Sequence, residues 1–142
     1  MKTVSCFIDC IGINIDFIIG GNAQENHDII DEAYDANENN LWFHISDKPS
    51  AHVISKIPKD IELKKDELKK IIKQGALICK TYSKYKKEKN VSIDYTRIKN
   101  VVKEEEPGAV TLTEVKIIII WIGLKYISNT YQIHIKRKKK YI

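Results

Sequence analysis

From Ile11 to Ile19 apolar side chains recur on alternate positions, with Ile11, Ile13, Ile15, Phe17 and Ile19 set against Gly12, Asn14, Asp16 and Ile18. That two-residue period predicts a strand with one buried face. Residues 3–8 form a weaker strand that pairs with it, and Gly20-Gly21-Asn22 ends the hairpin, because glycine and asparagine accept the positive φ angles of tight turns. Asn26 then predicts the N-cap of a short helix that carries Ile29, Ile30, Ala33 and Tyr34 on one face and Asp28, Asp31 and Glu32 near its positive end. The helix stops at Asn37-Glu38-Asn39-Asn40. Leu41–Ile45 alternates again, Ser46-Asp47-Lys48-Pro49-Ser50 is turn chemistry, and residues 52–57 return as a strand.

The longest helical pattern covers residues 66–84, where Leu68, Ile71, Ile72, Gly75, Ile78, Cys79 and Tyr82 share a face and lysines fill most of the other. Strands at 91–95 and 98–102, a Pro-Gly turn within 104–108, and a closing hairpin of 110–112 with 116–120 follow. This order predicts an α+β fold, a largely antiparallel sheet with two main helices packed on it. Tyr131, Ile133 and Ile135 alternate once more before five consecutive basic residues, 136–140, which read as a flexible basic arm.

At 142 residues and 43% hydrophobic content the chain supports one core. Its longest apolar run, residues 117–124, is far shorter than the roughly 20 residues of a spanning helix and reads as a buried strand. The N-terminus does not read as a secretory signal. Cys6, Cys10 and Cys79 are odd in number and lack CxxC or Cys/His spacing, which points to reduced thiols in the cytoplasm and to no zinc site.

Charge changes the picture more than composition does. The net +5 conceals a separation: residues 1–47 sum to −8, residues 48–79 to +4, residues 80–103 to +6, residues 104–135 to −2, and the arm adds +5. Folded apart, such segments present an acidic side and a basic side, the footprint of a protein that meets a polyanion.

Two clusters could carry chemistry. If Leu41, Phe43 and Ile45 face the core, Trp42 and His44 stand on the opposite face of their strand, close to His52 of the following one. Two readings stand: unpaired bases stack on that face, or a second layer covers it and the rings are hydrogen-bonded structural groups. His44 and His52 supply at most half of a tetrahedral metal site, Cys79 lies on an apolar helix face, and Ser50 has no indicated base. Neither a catalytic constellation, a metal nor a cofactor is therefore expected. The second cluster is Lys80, Lys84, Lys86, Lys87 and Lys89 interleaved with Tyr82 and Tyr85, which either stabilises a helix C-terminus or binds phosphates. If the next strands lie beside that helix end, Arg97, Lys99 and Lys103 extend it into one patch.

Gly21-Asn22-Ala23-Gln24-Glu25-Asn26, the run from Leu41-Trp42-Phe43-His44 through Pro49-Ser50-Ala51-His52-Val53, Ser83, residues 91–96 and Pro107-Gly108 together resemble the NFACT RNA-binding domain. Within that family the chain is most similar to the short stand-alone members of the coiled-coil domain-containing protein 25 type. It departs from the pattern at Gly21, where arginine is common, and at His27, where an acidic residue is common. The resemblance covers about residues 3–120 and divides the chain into a nucleic-acid-binding domain, 1–122, and an extension, 123–142. It implies a module that binds RNA, in longer family members as part of ribosome-associated quality control, and carries Trp42, His44, His52 and Ser83 over as signature residues. The expected partners are tRNA or rRNA and the ribosome, with DNA held only through non-specific phosphate contacts. A membrane surface is disfavoured and the oligomeric state is left open. The alternative is a protein-interaction adaptor that docks on a ribosomal or membrane-associated complex through its sheet and residues 117–131.

Overall fold

The computed structural model describes the backbone of residues 1–122, 127–135 and 139–141 and the side chains of residues 1–121. Strands β1 (Lys2–Ile8) and β2 (Ile13–Ile19) form the first hairpin, and helix α1 (Ala23–Ala36) follows. After it come β3 (Leu41–Ile45), β4 (Val53–Lys56), helix α2 (Lys65–Thr81) and β5 (Asn90–Arg97). Short strands β6 (Val101–Lys103) and β7 (Val110–Leu112) precede the long β8 (Val115–Ile122), β9 (Ile127–Ile135) and β10 (Lys139–Tyr141). One seven-stranded sheet runs β1-β2-β4-β3-β5-β8-β9, a three-stranded one runs β10-β7-β6, and every pairing is antiparallel. The chain has the expected α+β architecture, with the two helices on opposite faces of the large sheet.

Pleating explains that split. Leu41, Phe43 and Ile45 of β3 join Ile15, Phe17 and Ile19 of β2 beneath the apolar stripe of α2, where Ile71, Ile72, Ala76 and Cys79 are buried. The intervening residues, Ile18 and Trp42, face a second core made with Ile29, Ile30 and Ala33 of α1 and Val110 and Leu112 of β7. Gly75 lets α2 sit close to the sheet, since a Cβ there would lie 2.3 Å from the Phe43 ring.

Four local expectations are corrected. The N-cap of α1 is Asn22, whose side chain accepts from Glu25 N–H, so the helix begins a turn earlier than Asn26. Gly20 and Gly21 are not at positive φ. What requires a glycine at Gly20 is space, because a Cβ would fall 2.0 Å from Asn26 Oδ1. The predicted strand at 98–102 is instead a 3-10 turn (Ile98–Asn100) that buries Ile98 in the second core and redirects the chain into β6. Finally, β7 and β8 are not a hairpin: β7 pairs β6 and β10 while β8 pairs β5 and β9, and Glu114 at φ 52° turns the chain from one sheet to the other. Of the predicted basic arm, residues 136–138 lie outside the described residues and Lys139–Tyr141 are paired with β7.

Replacing Gly75 by alanine tests the helix-to-sheet contact. The added methyl cannot be accommodated beside Phe43, and we expect a loss of about 1–3 kcal/mol in urea unfolding. An unchanged midpoint would show that α2 does not approach the sheet this closely.

Candidate nucleic-acid interface

Trp42, His44 and His52 meet as predicted and are buried, at 0%, 2% and 2% exposure. The Trp42 and His44 rings stack at 5.6 Å, and His52 stands edge-on to both. Trp42 Nε1–H donates to His52 Nδ1 at 3.2 Å, and His44 Nδ1 lies 2.6 Å from the Ile45 carbonyl. The reading in which bases stack on Trp42 and His44 is therefore corrected: α1 and the β6–β7 pair roof that face, and the rings are internal. Burial pushes His44 down to about 4 and His52 to about 3, the latter helped by the neighbouring His44 and His27.

The surface beside this cluster is an open groove of about 690 Å³ at one end of the large sheet. Its walls come from Lys2 of β1, the Gly20-Gly21-Asn22 turn with the start of α1, the 49–52 segment before β4, and Tyr82-Ser83-Lys84 after α2. These are the segments that carry most of the sequence motif, gathered because the 46–51 turn, the first residues of β1 and the end of α2 all lie at the same end of the sheet. Lys2 Nζ sits 4.8 Å from the centroid of the Tyr82 ring, and Lys48 Nζ 4.6 Å from that of Tyr85. Gly108, also on the wall, donates to His27 Nδ1 at 2.9 Å, which ties the Pro-Gly turn to α1.

The basic residues do not merge into one patch. Lys84, Lys86, Lys87 and Lys89 are exposed on the loop between α2 and β5. Lys80 is only 2% exposed and its ammonium donates to the Lys86 carbonyl, so it braces that loop from within. Ser83 Oγ donates to the Lys80 carbonyl and accepts from Tyr85 N–H, a second brace. Arg97 lies at the far end of β5, about 23 Å from its start by strand rise, and donates to the Asn39 carbonyl. Lys99 is exposed at that same far end. Lys103 is held by Asp31 of α1 at 2.6 Å. The sequence alone marks neither Lys2 nor Lys48 as a site residue and gives Asn26 only a helix-capping role. The β1–β2 register, which sets Lys2 opposite Ile19, is the signal that brings Lys2 beside Gly20.

Among the described residues no group of three metal-ligating side chains occurs, and burial pushes the Cys79 thiol up to about 12. No helix among them is long and apolar enough to cross a membrane. The surface proposed for the adaptor alternative, residues 117–131, lies mostly beyond the described side chains.

The buried histidines make stability depend on pH. Both fold as neutral rings with pKa values below the ordinary 6.5, so below that value the unfolded chain binds more protons than the folded one. Stability is complete above about pH 6.5 and declines as pH falls toward 4 and 3. We expect each ring to remove about 2 kcal/mol between about pH 7.5 and about pH 5, read as a lower urea midpoint. A midpoint that holds constant over this range would mean that the rings are solvated.

The NFACT protein RNA binding domain family matches residues 7–114. Among curated proteins, the Rqc2 homolog RqcH of Bacillus subtilis (strain 168) is 29% identical over 96 residues, which are 66% of this chain and 15% of that protein. The chain thus spans a small part of its relative's length. Among solved structures, the C-terminal part of the fibronectin/fibrinogen-binding protein from Streptococcus suis superposes with a TM-score of 0.54 at 22% identity, covering 86% of this chain and 41% of that one. That likeness supports the fold. With three quarters of its length matched in order, the chain belongs to the NFACT RNA-binding domain family.

Proposed function

We propose that this chain is a non-catalytic RNA-binding module that holds tRNA or rRNA at the groove end of its sheet, in the cytoplasm and in the service of ribosome-associated quality control. We also place it nearest the short stand-alone family members of the coiled-coil domain-containing protein 25 type, with residues 1–122 as the binding unit and 123–142 as an extension. The observation that carries the reading is the separation of charge across the fold. Helix α1 carries Glu25, Asp28, Asp31, Glu32 and Asp35 with no lysine or arginine, whereas Lys2, Lys48, Lys84, Lys86, Lys87 and Lys89 gather around the groove and the loop after α2. A polyanion is repelled from one side and drawn to the other.

Lysine contacts of this kind neutralise phosphates without reading bases, so affinity falls steeply with salt and DNA competes. Trp42, His44 and most of His52 act from behind the surface, by fixing the groove wall. Arg97, Lys99 and Lys103 lie too far away or are already paired, and the reading assigns them no part in this contact.

Fluorescence anisotropy with tRNA and with single-stranded oligouridylate, at low and at physiological salt, tests the reading. We expect a Kd tighter than roughly 10⁻⁴ M at low salt, weakening as salt is raised. The double variant Lys84→Glu, Lys87→Glu should bind about tenfold more weakly or worse with an unchanged circular dichroism spectrum. Absence of binding at low salt, or full binding by a folded double variant, would overturn it.

A further inference from the structure

Within the groove most polar groups are already used. Ser50 Oγ accepts from Ile45 N–H, Ser83 Oγ is engaged at the end of α2, and Asn22 Oδ1 caps α1. Two side chains are different. His52 and Asn26 are 2% and 8% exposed, both line the groove, and each has one polar atom committed and one not. Trp42 Nε1–H can only donate, so His52 Nδ1 must be an acceptor and the neutral ring carries its proton on Nε2. The backbone N–H of His52 can only donate, so the Asn26 atom that receives it at 3.1 Å is the oxygen, and the amide nitrogen is the other. Neither His52 Nε2–H nor Asn26 Nδ2–H makes a hydrogen bond among the described residues, and neither is a sealed unpaired atom. Both therefore open on the groove, and both can only donate.

Their surroundings have the same sign. The first N–H groups of a helix lack intrahelical partners; here Asn22 takes that of Glu25, while those of Ala23 and Gln24 make no hydrogen bond among the described residues. Lys2 and Lys84 bring ammonium groups to the rim. The Glu25 carboxylate, the one acid close by on α1's first turn, is turned onto Gly21 N–H and the N-terminal ammonium at 2.7 Å each, so its charge is compensated. Buried neutral donors, a helix N-terminus and two flanking cations make a site for a compact anion with several acceptor oxygens.

We propose that Asn26 Nδ2 and His52 Nε2, with the N-terminus of α1, form a seat for one phosphate group of the bound RNA, while the exposed Tyr82 ring beside Lys2 offers a face on which the adjoining base can stack. This rests on the RNA-binding reading above and deepens it: the outer lysines attract the strand, and the seat fixes where along it one phosphate lies. The phosphate could be internal or a chain end, since both present the same oxygens.

The test is nitrogen-15 NMR of the protein titrated with tetrauridylate, once with a 5′-hydroxyl and once with a 5′-phosphate. We expect the Asn26 side-chain amide and His52 Nε2–H signals to shift and saturate with the same Kd as binding. Tighter binding of the phosphorylated oligomer would identify a chain end, and equal binding an internal phosphate. Asn26→Asp keeps the oxygen that receives His52 N–H but replaces the donor by a charged acceptor, and should weaken binding about tenfold or more. If the wild-type protein binds the oligomers while these two signals stay still and Asn26→Asp binds normally, the seat is wrong and the RNA-binding reading survives. If the wild-type protein binds neither these oligomers nor tRNA, both fall. Should Asn26→Asp fail to fold, the wild-type shifts alone decide.

Discussion

The fold's candidate site depends on one buried relay of hydrogen bonds, from Trp42 Nε1–H to His52 Nδ1 and from His52 N–H to Asn26 Oδ1. It joins β3, the segment entering β4, and the first turn of α1. Each donor in it has a single possible direction, so the relay fixes a tautomer and an amide orientation together. Gly20 N–H donating to the His52 carbonyl extends the relay to the end of β2, and the absence of a Cβ on Gly20 leaves room for Asn26. Desolvation keeps both histidines neutral, which makes the cluster compatible with a core made otherwise of aliphatic side chains.

Burial of these rings changes what the motif means physically. A run such as Trp42-Phe43-His44 looks like a stacking platform when read alone, yet the platform is roofed and the aromatic groups that solvent reaches lie elsewhere. Tyr82 is one of them, and it stands at the mouth of the groove that the relay supports. In the proposed interface the buried rings shape the wall and the rim supplies the charge.

Much of the fold was legible because alternation and helical spacing are local. Odd residues of β3 beneath α2 and even residues toward α1 follow directly from pleating. What was not legible depends on contacts between distant segments. Asn22-Ala23-Gln24-Glu25 is as good a helix start as Asn26, and only the demand that Asn26 Oδ1 receive His52 N–H settles which asparagine caps. Residues 110–112 and 116–120 read as a hairpin because they are neighbours in sequence, but β7 finds its partners in β6 and β10. The lysines were found by type, and their grouping was not: Lys80 is drawn inward by the Lys86 carbonyl, Lys103 is held by Asp31, and the length of β5 separates Arg97 from the loop after α2. Lys2 entered the site through strand register alone.

We propose that RNA meets this chain at one end of its sheet and not at the other. Lysine acetylation footprinting of the RNA complex, read by mass spectrometry, measures that directly. We expect Lys2, Lys84, Lys86 and Lys87 to become unreactive when RNA is bound, while Lys99 and the exposed Lys59, which shares a hollow with Asn39 and Arg97 at the far end, keep their reactivity. Equal protection at both ends, or protection confined to Lys59 and Lys99, would contradict it.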